Sequence, residues 1–395
     1  MPGRSYLAIP GPSVMPDEVL AAMHRSAPNI YAGELVEMTA SLVPDLRRVA
    51  RTEGSVAMYI GNGHAAWEAA LANTVTAGEK VLVPATGRFG HGWADVAEGL
   101  GLSVETLDFG KRAPMDMERI AEALRADNGR EIKAVLAVHV DTSTSILNNI
   151  KELRSVLDAE DHPALLMADC IASLGCDVFE MDQWGVDVAI TGSQKGLMVP
   201  PGMCFVFFNA KAAAAREAMP GVSRYWDWRP RANPEEFYQY WNGTAPTHHL
   251  YGLRVALDMM MAEGLEAIWA RHDRQARAIW AACEIWAQGG ALTMNVAKQE
   301  FRSRAVTSLQ LDRRRAGQLR DWTEKNLNMT LGIGLGMAEP DDPRREDFFR
   351  LGHMGHTNGQ MILGLLGGIE AGLTALEVPI GDGALTAAAR VIGSS

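Results

Sequence analysis

The chain has 395 residues, of which 47% are hydrophobic and 22% charged, and its formal net charge is −11. This length predicts a large domain and a smaller one, and the negative charge disfavours nucleic acid or an anionic membrane as a partner. The N-terminus lacks a signal-peptide core, no apolar run is long enough to span a membrane, and the four cysteines show no paired spacing. We therefore expect a cytoplasmic protein with reduced thiols.

Short apolar runs alternate with helix-period segments over residues 55–210. Most of these runs are continuously apolar, which is typical of strands that are covered on both faces of a sheet. The alternation predicts an α/β fold with a mostly parallel sheet, in which a ligand binds beyond the carboxyl ends of the strands. The candidate strands are KVLVPA (80–85), LSVETLDF (102–109), KAVLAVHV (133–140), ALLMADC (164–170), DVAITGS (187–193) and MCFVFFN (203–209).

The alternation of strand-like and helix-like segments stops after residue 210. Residues 221–248 are aromatic, proline-rich and irregular, and a loop of this length in a compact domain is usually functional. Residues 250–290 show a helical pattern that is broken near Gly264, and strand-like and helix-like segments then alternate, which predicts a small α+β domain. The expected divisions are an N-terminal segment near the functional site (1–20), a large domain (21–255) and a small C-terminal domain (256–395).

A glycine-containing turn precedes a helical pattern in MYIGNGHAAWEAAL, residues 58–71. Small residues at a helix N-terminus allow backbone N–H groups to approach an anion, and the helix dipole assists. Asn62, Gly63 and His64 are therefore candidates for binding a phosphate. The motif is neither a Walker loop nor a GxGxxG fingerprint, and similar turns precede helices that bind nothing. This turn alone does not decide whether the chain binds a phosphate.

Two ionisable residues each follow an apolar run. Asp169 ends one run, and an unpaired buried charge there would be costly, although a helix cap or a surface acid would also explain the residue. Lys195, in TGSQKG, comes 26 positions later, which allows one crossover to an adjacent strand. A lysine that forms a Schiff base, an acid for the pyridine nitrogen and a phosphate cup are together what pyridoxal phosphate requires. The combination predicts that cofactor.

The chain resembles the class V (fold type I) aminotransferases, specifically the serine–glyoxylate and alanine–glyoxylate aminotransferase group. The resemblance extends over nearly the whole length, and the Asp-to-Lys spacing and the SQK tripeptide are specific to the group. It implies a transferase with a large pyridoxal-phosphate-binding domain and a small α+β domain, acting as a homodimer. The segments that carry it are IPGPSVMPDEVLAAM (9–23), GNGHAAWEAALANTVTAGEKVLV (61–83), VHVDTSTSILNNI (138–150), ADCIASLG (168–175), TGSQKGLMVPPG (191–202), HLYGLRVALDMMMAEGLEAIWARH (249–272) and FFRLGHMGHTN (348–358).

The resemblance assigns roles around the cofactor ring. By it, Lys195 is the Schiff-base lysine and Asp169 is the partner of the pyridine nitrogen. Thr142, in HVDTSTS, matches the residue whose hydroxyl bonds the ring oxygen. Ile171 is expected to pack on one face of the ring and Phe89, in TGRFGHGW, on the other face.

The resemblance also implies how the phosphate is held. Asn62, Gly63 and His64 match the phosphate loop of the group, and the side chain of Gln194 assists them. Thr244, in NGTAP, resembles the residue that reaches the phosphate from the neighbouring subunit. The active site would then be a property of the dimer.

Substrate recognition is expected to involve Arg350, which matches the arginine that binds the substrate's α-carboxylate. A planar guanidinium binds a carboxylate in a bidentate manner, although the residue alone would also be consistent with a surface arginine. The chain departs from its relatives at APNIYAGEL (27–35) and YQYWNGTAP (238–246), segments that line the substrate side of the pocket in the group. The candidates for altered specificity are Tyr31, Trp241 and Asn242.

The leading hypothesis is a ping-pong transaminase that uses Lys195 to move an amino group from a serine- or alanine-like amino acid to glyoxylate or pyruvate. One alternative is a lyase or desulfurase, for which Cys283 is the sole cysteine of the C-terminal half. Another is transamination of pyridoxamine, because relatives of that type share a GHMG-like segment. A non-catalytic binding protein predicts loss of the lysine, aspartate or arginine, yet all three are present. His353 and His356 could form a metal pair, but no third ligand is evident.

Overall fold

The structure, a computed structural model, describes residues 4–394 of the chain. The strands form two main sheets and one short hairpin. They are β1 (Tyr6–Ala8), β2 (Ser55–Gly61), β3 (Lys80–Ala85), β4 (Ser103–Asp108), β5 (Ile132–Val138), β6 (Val140–Asp141), β7 (Ile146–Leu147), β8 (Leu165–Asp169), β9 (Val188–Gly192), β10 (Gly202–Phe208), β11 (Leu292–Met294), β12 (Val306–Leu311), β13 (Met329–Ile333) and β14 (Phe348–Gly352).

The helices lie between these strands and after the last one. They are α1 (Asp17–Met23), α2 (Glu34–Ala50), α3 (Gly63–Ala72), α4 (Arg88–Gly99), α5 (Met117–Ala126), α6 (Ile150–Ala159), α7 (Ala210–Ala218), α8 (Arg229–Ala232), α9 (Thr247–Glu263), α10 (Leu265–Trp286), α11 (Arg315–Leu327), α12 (Gly359–Ala375) and α13 (Ala384–Gly393). Short 3-10 helices cover Phe237–Tyr240, Ala287–Gly289, Gln299–Phe301 and Pro343–Asp347. Within residues 4–394, no helix combines the length and apolarity that crossing a bilayer would need.

The larger sheet has seven strands in the order β2-β10-β9-β8-β5-β3-β4. Strand β10 runs antiparallel to both of its neighbours, and the remaining pairs of the sheet are parallel. The prediction of an α/β fold with a mostly parallel sheet is therefore confirmed. Six strands point the same way, so their carboxyl ends share one edge of the sheet.

The six predicted strands of this sheet are confirmed, each within two residues at either end. Their apolar runs are continuous because both faces are covered. In β8, Leu166 and Ala168 belong to one buried cluster, whereas Leu165 and Met167 belong to the cluster on the opposite face. Strand β2, which leads into the glycine-containing turn, begins at the half-buried Ser55.

The smaller sheet has five strands in the order β1-β13-β14-β12-β11. Its buried cluster combines these strands with residues of α10, α11, α12 and α13. The first strand comes from the N-terminus and pairs in parallel with β13, so the chain begins in the small sheet before it builds the large one. An α+β arrangement follows the large sheet, as the sequence predicted.

The break predicted in the long helical pattern lies between α9 and α10, at Gly264. Gly264 has φ +84°, a conformation that favours glycine. The irregular segment before α9 is attached to the large sheet by the buried Arg231. Its Nη1 donates to the carbonyl oxygens of Met58 at 2.8 Å and Tyr240 at 3.0 Å. This segment is therefore ordered by backbone contacts that its sequence pattern does not reveal.

Candidate active site

The carboxyl ends of β8 and β9 bring two of the predicted residues to one edge of the large sheet. Strand β8 ends at Asp169, and β9 ends shortly before Lys195. The two strands are parallel neighbours, with Asp169 opposite Ile190. The single crossover that the sequence spacing allowed is thus present. Strand β2, which precedes the glycine turn, ends at the same edge beyond β10.

Lys195 is held by the N-terminal segment that follows β1. Its Nζ donates a hydrogen bond to the carbonyl oxygen of Pro10. Ser13 holds the backbone of Gln194 and Lys195. Its Oγ donates to the Lys195 carbonyl and its N–H donates to the Gln194 carbonyl, both at 2.8 Å. A Cβ on Gly11 would overlap Lys195 Nζ, so this close approach requires glycine. The amine is therefore positioned by residues from the far end of the sequence.

The Lys195 amine lies in an environment that favours its neutral form. Burial lowers its pKa to about 8, and the positive charge of Arg350 acts in the same direction. The charge of Asp169 opposes both effects. About a tenth of the amine is consequently unprotonated at pH 7, far more than for an exposed lysine, and the neutral form is what a nucleophile or a proton carrier requires.

Asp169 is a buried carboxyl group with two protein donors. Its Oδ2 accepts from Trp67 Nε1 and its Oδ1 from the Ile171 backbone N–H, both at 2.8 Å. Burial raises its pKa to about 7, while these hydrogen bonds and the charge of Lys195 lower it. Each oxygen still has a lone pair for a further donor. The group therefore suits a partner that brings a proton, such as a pyridine nitrogen.

The glycine turn forms the N-terminus of α3. Asn62 caps the helix, since its Oδ1 accepts from the backbone N–H of His64 at 3.1 Å and of Ala65 at 3.3 Å. A Cβ on Gly63 would overlap Ile171 Cδ1, so a larger residue there would require the tip of the Ile171 side chain to move. The turn is thus in direct contact with Ile171, two residues after Asp169. The dipole of α3 provides partial positive charge at the turn, where the sequence predicted a phosphate.

An aromatic wall flanks Asp169. The ring of Phe89 lies 6.3 Å from that of Trp67, and Trp67 stacks on Trp93 with ring centroids 6.0 Å apart. The start of α4 is fixed by Asp141, whose Oδ2 accepts from the Phe89 backbone N–H at 2.8 Å. Ile171 packs against the same cluster. Aromatic and aliphatic surfaces are therefore present beside the carboxyl group, as a planar ring would need.

Arg350 reaches the site from the small sheet. Its Nε donates to the Ile333 carbonyl at 2.7 Å and its Nη1 to the Thr142 carbonyl at 2.8 Å. Among residues 4–394 it forms no ion pair, and it is 6% exposed. Burial lowers its pKa to about 10, so the guanidinium stays charged at neutral pH. A buried cation whose protein partners are neutral carbonyls suits an incoming carboxylate.

These groups fit pyridoxal phosphate by their chemistry. The edge combines an amine of lowered pKa, a carboxyl group of raised pKa, a helix N-terminus and an aromatic wall. In addition, Gln194 Oε1 is buried without a hydrogen-bond partner in the described part of the chain. The matching requirements of the cofactor are an aldehyde, a protonatable ring nitrogen, a phosphate and two flat ring faces.

Four predicted residues lie elsewhere. Tyr31 is 88% exposed ahead of α2, and Trp241 is 1% exposed within the buried cluster on the large sheet. Asn242 Oδ1 accepts from Arg224 Nε at 3.2 Å, and Thr244 is exposed. Within residues 4–394, no hydrogen bond joins any of these side chains to Lys195, Asp169 or Arg350. The structure of one chain thus leaves these four residues apart from Lys195, Asp169 and Arg350, including Thr244, which was expected to reach the phosphate from a neighbouring subunit.

Several contacts at the edge were not anticipated. Trp67 lies one helical turn after Gly63, so its position on the same face of α3 was a usable signal. Asp141 is adjacent to Thr142, but its role as a cap of α4 depends on the packing of a separate strand. Pro10 contributes only a carbonyl oxygen, for which a sequence carries no signal.

The structure also shows the surroundings of the residues on which the desulfurase and metal-site alternatives depend. Cys283 is buried inside α10, and burial raises its pKa to about 12, so it is no mobile nucleophile. His353 is buried, with Nε2 3.0 Å from Thr307 Oγ1, whereas His356 is exposed. In residues 4–394 no three potential metal ligands of the His, Cys, Asp or Glu types are grouped.

Comparisons with known proteins agree with this geometry. A family model described as aminotransferase class-V matches residues 6–319. The serine–glyoxylate aminotransferase of Methylorubrum extorquens is 36% identical over 98% of this chain and 96% of its own length. The L-aspartate–glyoxylate aminotransferase of Paracoccus denitrificans is 33% identical over 99% and 96%. The crystal structure of ureidoglycine–glyoxylate aminotransferase from Bacillus subtilis matches with a TM-score of 0.88 at 26% identity, covering 99% and 98% of the two chains.

Proposed function

The chain belongs to the class V aminotransferases, and on that premise we propose that it transfers the amino group of a small amino acid, such as serine or alanine, to a small 2-oxo acid, such as glyoxylate or pyruvate. It is a pyridoxal-phosphate-dependent transaminase of fold type I. The observation that carries the proposal is the meeting of Lys195 and Asp169 at neighbouring strand ends. The alternatives are not favoured, and the buried Cys283 in particular does not support a desulfurase.

We assign the ring of the cofactor to the edge described above. Lys195 would hold it covalently, and Asp169 would hold the proton at its ring nitrogen. Ile171 and Phe89 would cover its two faces, and Thr142 would bond the ring oxygen. When bound, pyridoxal phosphate supplies a carbonyl that reacts with amines and a ring that withdraws electrons from the substrate Cα.

The phosphate is assigned to the start of α3. Asn62, Gly63 and His64 would hold it through the positive end of the helix, with Gln194 beside them. Thr244 would reach it from a neighbouring subunit. The exposure of Thr244 supports this proposal, because a residue that completes a partner's site must lie on the surface of its own chain. We therefore propose a homodimer with shared active sites.

The chain's own groups would carry the proton transfer. Lys195 Nζ, once released, would take the proton from the substrate Cα, and its lowered pKa leaves it neutral often enough to do so. The Pro10 carbonyl gives the amine a fixed resting position. Arg350 would orient the α-carboxylate, which places Cα within reach of the amine.

The choice of substrate remains a proposal. The two relatives are named for serine and for L-aspartate as amino donors, and both names contain glyoxylate, which supports glyoxylate as acceptor. The roles of Tyr31, Trp241 and Asn242 in donor choice stay predictions, as do a cytoplasmic location and the division at residues 20 and 255. Near that division, the cluster on the large sheet extends to Ile268.

The function is tested by supplying the protein with pyridoxal phosphate and single amino acids, and measuring the 2-oxo acid formed in one turnover. Added glyoxylate should then yield glycine. Lys195→Ala should lower the turnover at least about a hundredfold, because the proton carrier is lost. Lys325→Ala, which removes an exposed lysine from α11, is the control and should retain activity. Full activity of the Lys195 variant would contradict the proposal.

A further inference from the structure

Arg88 is an exposed arginine beside the proposed site, without an ion pair in the described part of the chain. It is the first residue of α4, and its neighbour Phe89 forms part of the aromatic wall. Its side chain is exposed, and within residues 4–394 it has no acidic partner. The roles proposed so far leave this residue without a function. An exposed arginine alone does not indicate a function, so the position of Arg88 relative to Arg350 is what matters.

The segment of residues 141–143 connects the two arginines. The carbonyl of Thr142 accepts from Arg350 Nη1 at 2.8 Å, and the next residue, Ser143, accepts through Oγ from the Arg88 backbone N–H at 3.1 Å. Consecutive Cα atoms are about 3.8 Å apart. The start of α4 and the guanidinium of Arg350 are therefore anchored to adjoining residues.

The segment after β13 connects them a second time. Arg350 Nε donates to the carbonyl of Ile333 at 2.7 Å. A Cβ on Gly336 would lie 2.6 Å from Arg88 Cβ and 3.0 Å from its Cδ, so the backbone at Gly336 packs on the stem of Arg88. Three residues span at most about 11 Å. Both arginines consequently border the same short loop of the small domain.

Three cations near this loop have no ion pair in the described part of the chain. Lys111 Nζ lies 3.5 Å from the Met337 carbonyl and, like Arg88 and Arg350, has no ion pair in the described part of the chain. The charge of Asp141 acts on Arg350, and the Asp141 oxygens accept from the Phe89 and Ser143 backbone N–H groups. In a protein of net charge −11, cations without ion pairs beside the proposed site suit an anionic ligand.

We propose, resting on the proposed function, that Arg88 binds the second carboxylate of a dicarboxylic substrate while Arg350 binds the first. Arg88 is then a specificity-determining residue, and the substrate class includes dicarboxylic amino acids of the length of aspartate and their 2-oxo acids. The exposed guanidinium of Arg88 can form bidentate hydrogen bonds with a carboxylate beside the start of α4. Small substrates such as serine do not reach it.

The test compares Arg88→Gln with the wild-type holoenzyme. We expect kcat/KM for L-aspartate to fall about ten- to a hundredfold, the effect of losing hydrogen bonds to a charged group, and kcat/KM for L-serine to change less than about threefold. Succinate and butyrate, unreactive acids of equal chain length, are measured as inhibitors. Wild-type protein should bind succinate at least about tenfold more tightly, and the variant should bind both acids equally.

Two variants serve as controls. Arg88→Lys keeps the charge and should retain part of the preference, whereas Arg390→Gln removes an exposed arginine from α13 and should change nothing. Equal losses for aspartate and serine, or equal binding of succinate and butyrate by the wild type, would overturn the proposal. Failure of every amino acid to react would refute the proposed function instead, and the binding measurement would still test Arg88 because it needs no turnover.

Discussion

At the scale of single residues, the site depends on what burial does to charge. Burial raises the pKa of Asp169 to about 7 and lowers that of Lys195 to about 8, so both groups titrate near neutral pH. Neither value follows from residue type, because both arise from desolvation inside the fold. Perturbed pairs of this kind concentrate at functional sites.

The pH dependence of cofactor capture tests the Lys195 environment. Only the neutral amine attacks a carbonyl, so the rate at which cofactor-free protein captures pyridoxal phosphate should rise with pH and level off above about 8. In Arg350→Met, the positive charge that lowers the Lys195 pKa is gone, and the midpoint should move to higher pH. Stopped-flow absorbance measures the rate. A midpoint that stays in place would show that Arg350 does not act on the amine.

At the scale of elements, helices deliver their side chains to strand ends. Helix α3 carries Trp67 to Asp169 on β8, and the cap of α4 by Asp141 fixes the position of Phe89. Trp93 on α4 stacks on Trp67, although its own Nε1 has no hydrogen-bond partner in the described part of the chain. The two tryptophans are thus matched in packing and differ in hydrogen bonding.

This difference allows the Trp67–Asp169 hydrogen bond to be measured. Trp67→Phe removes a donor from a buried carboxyl group and raises its pKa further, so cofactor affinity should fall about tenfold or more. Trp93→Phe, which loses packing alone, is the control. Affinity is measured by equilibrium dialysis of pyridoxal phosphate, and thermal unfolding reports the packing loss in both variants. Equal affinities in the two variants would remove Trp67 from the positioning of Asp169.

At the scale of the whole molecule, the site lies where the two sheets meet. Lys195 follows strand β9 of the large sheet, Arg350 lies in β14 of the small one, and Pro10 follows the N-terminal strand β1 of the small sheet. The hydrogen bonds of Lys195 with Pro10 and of Arg350 with Thr142 each cross between these parts. The relative position of the sheets therefore determines the distance between the amine and the guanidinium.

Subunit sharing of the site is tested by mixing two variants. If Thr244 completes the neighbour's site, a dimer of one Lys195→Ala and one Thr244→Ala chain contains one intact site and one doubly altered site. After subunit exchange at limiting cofactor, an equal mixture should recover about a quarter of wild-type activity, since half of the dimers are mixed. Each variant alone should be nearly inactive under these conditions. No recovery despite proven exchange would place Thr244 in its own chain's site, or outside any site.

The sequence by itself determined much of the large sheet and part of the site. Strands such as β8 and β9 are readable because burial on both faces requires continuous apolar runs, a local property. Asp169 and Lys195 are readable because each follows such a run, and parallel strands place their carboxyl ends together. Gly63 is readable as part of a glycine-containing turn before a helical pattern, and its backbone closely approaches the Ile171 side chain.

The tertiary structure alone decided which distant groups meet. The Pro10 carbonyl that receives Lys195 has no side-chain signature, and the packing of Gly336 on the stem of Arg88 brings together segments that are far apart in the chain. Trp241, which the sequence placed on the substrate side, is buried in the core of its own chain because its aromatic surface packs there. These outcomes depend on contacts between segments far apart in the chain, and local pattern carries no information about such contacts.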